Sequence, residues 1–189
     1  MSDIVVTGAG FRVTKNLGGR KYILAAPTFG EAGRLTEESA LRLRPASAVI
    51  LEEVREALRR QDKADQVAVV DEYEAADIHY QAVLMSSTGD PGEGKAELIE
   101  ARKRWMAAQL AYRRTEYLVR EDHGVRDLRL MDMRLAREET LSMLAVTLAG
   151  WEGEGLPEYP ARVTPGDIDR LLPAGDVAAL GPMALALIR

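Results

Sequence analysis

Residues 93–121 read EGKAELIEARKRWMAAQLAYRRTEYLVRE, and the fold turns on how this stretch is read. Leu98, Ala101, Trp105, Ala108, Tyr112, Thr115 and Val119 recur at alternating steps of three and four. That spacing lines one face of an α-helix and repeats as a heptad, so it predicts a helix over about 93–122 with a seam for a neighbouring helix. The neighbour lies just upstream. Between Lys63 and Met85, the residues Val69, Tyr73, Ala76, Tyr80 and Val83 keep the same alternation. The link Ser86–Gly94 is polar, carries three glycines, and places Asp90 as a cap ahead of Pro91. Two long helices with a short polar link predict an antiparallel helical hairpin.

Downstream, Val125 to Leu148 predicts a third long helix, with His123-Gly124 ending the second. Its inward set is Leu128, Met131, Leu135, Leu141, Leu144 and Leu148. Ala149-Gly150-Trp151-Glu152-Gly153-Glu154-Gly155-Leu156-Pro157 then stops helix growth, because glycine costs backbone entropy and proline removes a donor. It places Trp151 in a glycine-rich turn, as a plug for a C-terminal pair of helices. Thr164-Pro165-Gly166-Asp167 is a helix start: a threonine cap, proline at the first position, Asp at the third. Pro173 ends that helix. A last one carries Val177, Leu180, Met183, Leu185 and Ile188 and is expected to break near Gly181-Pro182.

Upstream, Ser47 is the expected cap of a helix from Ala48 to about Arg60, with Ile50, Leu51, Val54, Ala57 and Leu58 on one face. Thr28 offers a cap for a short helix near Glu31, and Thr36 offers a second start. The first residues differ in kind. Ile4–Val6, Phe11–Thr14 and Lys21–Ala25 are short runs rich in β-branched and aromatic residues, and Lys15–Arg20 is a turn-rich link. The expected architecture is mainly α: a helical bundle with a long antiparallel helical hairpin and a small N-terminal β-hairpin, extendable to three strands. The expected partition is a β-hairpin appendage over 1–30, a helical core over 31–150, and a C-terminal helical pair over 151–189.

Composition narrows the function classes. A chain of 189 residues buries roughly 70% of its unfolded surface, enough to fold without metal or disulfide. Cysteine is absent, which removes thiolate zinc sites and cysteine nucleophiles and fits a reducing compartment. Met1-Ser2-Asp3-Ile4 lacks the basic and apolar regions of a signal peptide, and Leu180–Ile188 falls short of the ~18 apolar residues of a membrane span. Membrane partners are therefore not expected. A net charge of −5 argues against nucleic acid, whose binders usually show a basic face.

No motif carries catalysis. Val5-Val6-Thr7-Gly8-Ala9-Gly10 resembles the opening of a dinucleotide site, but Val13 stands where the third glycine belongs and no β-α-β unit follows. Di-iron bundles use Glu-x-x-His, yet Ala76 and Arg120 precede His79 and His123 by three. No Ser, His and acid arrangement stands out. The reading is non-enzymatic, with no catalytic residue, no cofactor and no metal. A seam such as this is ordinarily core. Where the hairpin outruns the rest of the chain, the seam becomes a partner surface. Trp105 and Tyr112 on the seam, with Trp151 and Leu156 in the glycine-rich close, are the partner-binding candidates.

Two segments resemble a known family. Tyr22-Ile23-Leu24 through Pro27-Thr28-Phe29-Gly30-Glu31 is similar to the opening of phage tail assembly chaperones, a short β segment leading into a helix. Leu148-Ala149-Gly150-Trp151-Glu152-Gly153, followed by Leu156-Pro157, Thr164-Pro165 and Ile168–Pro173, is similar to their close. About a third of the chain is covered, and residues 61–134 match nothing specific. The resemblance implies a non-enzymatic protein of the host cytoplasm. Such a protein binds a helical partner, the tape-measure protein, and helps tail-tube subunits polymerise around it. Homo-oligomerisation stays open. A structural or adaptor subunit of the virion neck or tail is the alternative, and a small enzyme with a pocket among the helices is a third.

Overall fold

A computed structural model describes residues 4–7, 10–41, 45–86 and 95–188. The protein is mainly α-helical, with a long antiparallel helical hairpin and a small N-terminal sheet. The strands are β1 (Ile4–Thr7), β2 (Gly10–Leu17), β3 (Arg20–Ala25) and β4 (Leu148–Gly153). The helices are α1 (Phe29–Leu41), α2 (Ser47–Arg60), α3 (Val67–Ser86), α4 (Lys95–Tyr117), α5 (His123–Thr147), α6 (Pro165–Leu171) and α7 (Ala174–Ile188), with a 3-10 turn at Ala64–Gln66. Two compact units result: Met1–Arg44 with Met133–Arg189, and Pro45–Asp132. This division differs from the expected one over 1–30, 31–150 and 151–189. The N-terminal strands and the C-terminal helices share one core, and α5 runs from one unit into the other.

In the first unit the four strands form one antiparallel sheet in the order β1-β2-β3-β4. Gly18 and Gly19, at φ of 52° and 81°, make the two-residue turn between β2 and β3. Positive φ at both central residues matches the strand twist, which only glycine, asparagine or aspartate adopts readily. β2 therefore runs to Leu17, through residues expected to be loop. The glycine-rich close corrects the sequence reading further: Leu148–Gly153 is a strand rather than a turn. It pairs with β3 so that Tyr22 faces Trp151 and Arg20 faces Gly153. The register slips between Ile23 and Leu24, whose partners are Gly150 and Leu148. Residues three apart in a regular strand face opposite sides. The extra residue at Ala149 resets the alternation, so Leu148 and Trp151 both enter the core. That core joins them to Tyr22, Leu24, Leu144, Ile168 and Leu180.

Helix ends follow local chemistry. Thr28 and Glu31 form a reciprocal capping box, the Thr28 amide donating to Glu31 at 2.9 Å and the Glu31 amide to the Thr28 hydroxyl at 3.3 Å. α1 then continues past Thr36, whose hydroxyl bonds the Ala32 carbonyl rather than starting a second helix. Thr164 and Asp167 repeat the box on α6, with Pro165 at the first position. α7 runs unbroken through Pro182, where an interruption was expected; the ring lies on the exposed face while Gly181 is buried against Thr140.

The second unit centres on Leu51, Val54, Ala57, Leu58, Val70, Tyr112, Val119 and Val125. All five residues assigned to the inner face of α2 are buried. Its cap position is Ala46, and Ser47 makes no capping bond. α4 ends at Tyr117, short of the expected end, because Leu118 and Val119 bond back to Thr115 and Glu116 in tight turns that bury Val119. Asp122, held by Arg60 at 2.8 Å, accepts from the Gly124 amide, so His123-Gly124 opens α5 instead of closing α4. Met131, assigned inward, is exposed. The hairpin link with Asp90 and Pro91, and Gly8-Ala9 between β1 and β2, lie outside the described residues.

Candidate partner-binding surface

The α3–α4 seam is closed by aromatic pairs. Tyr73 stacks on Tyr112 at 4.6 Å between ring centres, and Tyr80 on Trp105 at 5.3 Å. As one partner advances a heptad the other retreats a heptad, which is the signature of an antiparallel pair. The Trp105 indole N–H donates to Asp77 at 2.8 Å. The Tyr112 hydroxyl accepts from Arg129 at 2.9 Å, and Arg129 also holds Glu116. Burial, helped by Glu116, pushes the Tyr112 hydroxyl up to about 12.

The other two candidates sit in the other unit. Trp151 is buried, its indole N–H donates to the Pro157 carbonyl at 2.9 Å, and Tyr159 meets it edge-on at 4.7 Å. The Tyr159 hydroxyl donates to the Leu148 carbonyl at 2.6 Å. Leu156 is half-buried against the same core. Trp105 and Tyr112 therefore belong to one unit, and Trp151 and Leu156 to the other. Tyr112 and Trp151 are core residues, and Trp105 and Leu156 are largely occupied by intramolecular partners.

Exposed apolar side chains lie elsewhere, several of them on the faces of the hairpin turned away from its seam. On α3 these are Ile78 and Met85, 65% and 76% exposed. On α4 they are Ile99, Met106, Leu110 and Tyr117, 48%, 53%, 54% and 60% exposed. The α4 set is spaced seven, four and seven. At about 100° per residue these four fall within roughly 40° of one line, opposite the buried Ala101, Ala108, Tyr112 and Thr115. This second stripe was present in the sequence and was eclipsed by the aromatic seam. A helix apolar on both sides loses the one-sided contrast that marks a surface helix.

A cleft of about 490 Å3 in the first unit is lined by α1, the end of α5 and residues 159–165. Three of its polar groups are engaged locally: Glu31 in the Thr28 cap, which holds its carboxyl below the usual range, Arg34 on the Gly30 carbonyl and Ser142 on the Glu138 carbonyl. Among the described residues no cluster of three or more potential metal ligands occurs, and no helix is long and apolar enough to cross a membrane. No protein-family model, curated protein or solved structure matches the chain.

Proposed function

We propose that the protein is a non-enzymatic phage tail assembly chaperone, working in the host cytoplasm on the helical tape-measure protein and on tail-tube assembly. The observation that carries this reading is the row of exposed apolar side chains along the outer faces of the α3–α4 hairpin. Apolar rows at helical spacing suit a helical client, whose own apolar stripe they shield from water. A second feature supports it. The residues that resemble the chaperone family, 22–31 and 148–173, all fall in the first compact unit, and the stretch that matches nothing, 61–134, covers most of the second. The first unit then corresponds to the shared part of the family, and the hairpin to a client-specific arm.

The test is co-expression with the product of a neighbouring gene that encodes a very long helical protein. The client is expected to stay soluble and to co-purify only when this chain is present. Purified mature particles should lack the chain. A client equally soluble alone, with no complex, overturns the reading. Stoichiometric retention in particles supports the structural or adaptor subunit instead.

A further inference from the structure

We infer that the outer face of α4 is a docking site for an amphipathic helix whose apolar stripe is flanked by acidic residues. The inference deepens the chaperone reading and rests on it for the identity of the client. Ile99, Met106, Leu110 and Tyr117 form a line about 27 Å long on a straight helix. Within about 60° of that line, α4 holds only apolar and basic residues: Lys95, Arg102, Lys103, Arg113 and Arg114 are the charges, and all are exposed. The helix as a whole has six basic and three acidic residues in a chain of net charge −5. Glu97, Glu100 and Glu116 lie outside that arc. Glu116 holds Arg129, and Glu100 touches Lys103 at 3.6 Å across exposed side chains.

An apolar line with one sign of charge on both sides is a coiled-coil seam with matched flanks, where the flanking charges choose the partner. The same face of a second copy would bring basic flanks against basic flanks. The outer face of α3 offers a second copy no better match, because its acids Asp71 and Glu74 already bind Arg55, Asp71 at 2.8 Å and Glu74 at 2.5 Å. An anionic membrane surface also attracts basic helices. It favours a broad apolar face, whereas this one is a single line of side chains on a protein of net negative charge.

The experiment uses the full chain and two labelled synthetic helical peptides with one apolar stripe, flanked by Glu in one and Lys in the other. Fluorescence anisotropy is expected to show the Glu-flanked peptide binding at least about tenfold more tightly. Leu110→Glu, or Met106→Glu, is expected to lose about tenfold or more, with circular dichroism checking that the exposed substitution leaves the fold intact. Arg102→Glu with Arg113→Glu leaves Lys95, Lys103 and Arg114 on this face and should weaken the preference for the Glu-flanked peptide. Equal affinity for both peptides, or binding to neither, overturns the inference. So does pelleting of the protein with phosphatidylserine vesicles at the expense of peptide binding, or a concentration-dependent dimer abolished by Leu110→Glu. A tape-measure client bound as tightly by Leu110→Glu as by wild type sinks this docking site but leaves the chaperone reading intact. A Glu-flanked peptide bound at α4 by a chain that ignores the client does the reverse.

Discussion

The Tyr22 hydroxyl donates to the Asp176 carboxylate at 2.5 Å, joining residues 154 positions apart. Tyr22 lies on β3 and Asp176 in the first turn of α7, both buried. Arg20 completes the clasp through two bonds to Asp176, at 2.7 and 3.2 Å. Burial opposes charge on Asp176, but the Arg20 guanidinium and the Tyr22 hydroxyl outweigh it and hold the carboxyl below its usual range. Asp176 also sits where a helix N-terminus favours a negative charge. Asp176→Ala would strand the Tyr22 hydroxyl in the core and is expected to cost about 2–3 kcal/mol, against about 1 kcal/mol for Tyr22→Phe, which leaves the Arg20 pair intact. Urea unfolding followed by tryptophan fluorescence checks the order. Equal, negligible losses would mean the clasp contributes nothing.

The same clasp sets a response to alkali. Burial first, then the bond to Asp176, raises the Tyr22 hydroxyl far above its ordinary value of 10.0, and burial raises Tyr112 to about 12. The unfolded chain releases these protons near pH 10 while the folded chain keeps them. Their contribution is therefore complete below about pH 10 and lost as pH rises toward the folded values. Stability is expected to decline from about pH 10 upward. Tyr22→Phe should flatten that decline although it lowers stability at neutral pH. Asp176 acts at the other end: its contribution is complete above its unfolded value near 3.8 and fades as pH falls below that. A stability profile unchanged by Tyr22→Phe between pH 10 and 12 would refute the assignment.

Trp151 ties the sheet to the C-terminal helices. Trp151→Ala removes a buried ring from between Tyr22 and Tyr159 and is expected to cost ~3–5 kcal/mol. Hydrogen exchange should quicken in α6 and α7 before it does in α2 or α4, because Trp151 belongs to the first unit's core only. Trp151→Phe keeps much of the packing but leaves the Pro157 carbonyl without its donor, for a loss of about 1 kcal/mol. Uniform acceleration across both units would contradict this separation.

Gly153 and Gly155 offer a matched pair of substitutions. Both have positive φ, at 136° and 77°. A Cβ at Gly153 would fall 2.8 Å from the Arg20 Cα and from the Gly19 carbonyl oxygen, whereas nothing lies within 4 Å of one at Gly155. Gly155→Ala should cost about 1–2 kcal/mol from backbone strain alone. Gly153→Ala should cost more, since the β3–β4 pairing must open to admit the methyl group. Thermal denaturation of the two variants side by side decides it, and equal losses would mean the close approach is relieved without cost.

Much of this was legible because it rests on local chemistry. The apolar set of α2, the Thr164 box and the aromatic seam of α4 need only helical spacing and a cap. Where the reading erred, a distant segment outvoted a local signal. Glycines in 149–155 look like a turn until β3 supplies an edge. Pro182 looks like a break until its ring lands on the exposed side of α7. The partner candidates met intramolecular neighbours for a related reason. Large aromatics on a seam attract attention, yet each had an intramolecular match: Tyr73 for Tyr112, Tyr80 for Trp105, Tyr159 for Trp151. The aliphatic line Ile99, Met106, Leu110 on the other side of α4 stays exposed.

The sequence by itself determined the helical class, the hairpin, the N-terminal strands and the caps at Thr28 and Thr164, because period, β-branching and capping side chains act within a few residues. Only the tertiary structure decided that residues 148–153 join the N-terminal sheet, that Asp176 is held by Arg20 and Tyr22, and which face of α4 stays exposed. Those outcomes depend on groups more than a hundred residues apart, or on which of two apolar faces finds a neighbour. Composition and spacing do not encode that choice locally; burial against a particular partner makes it.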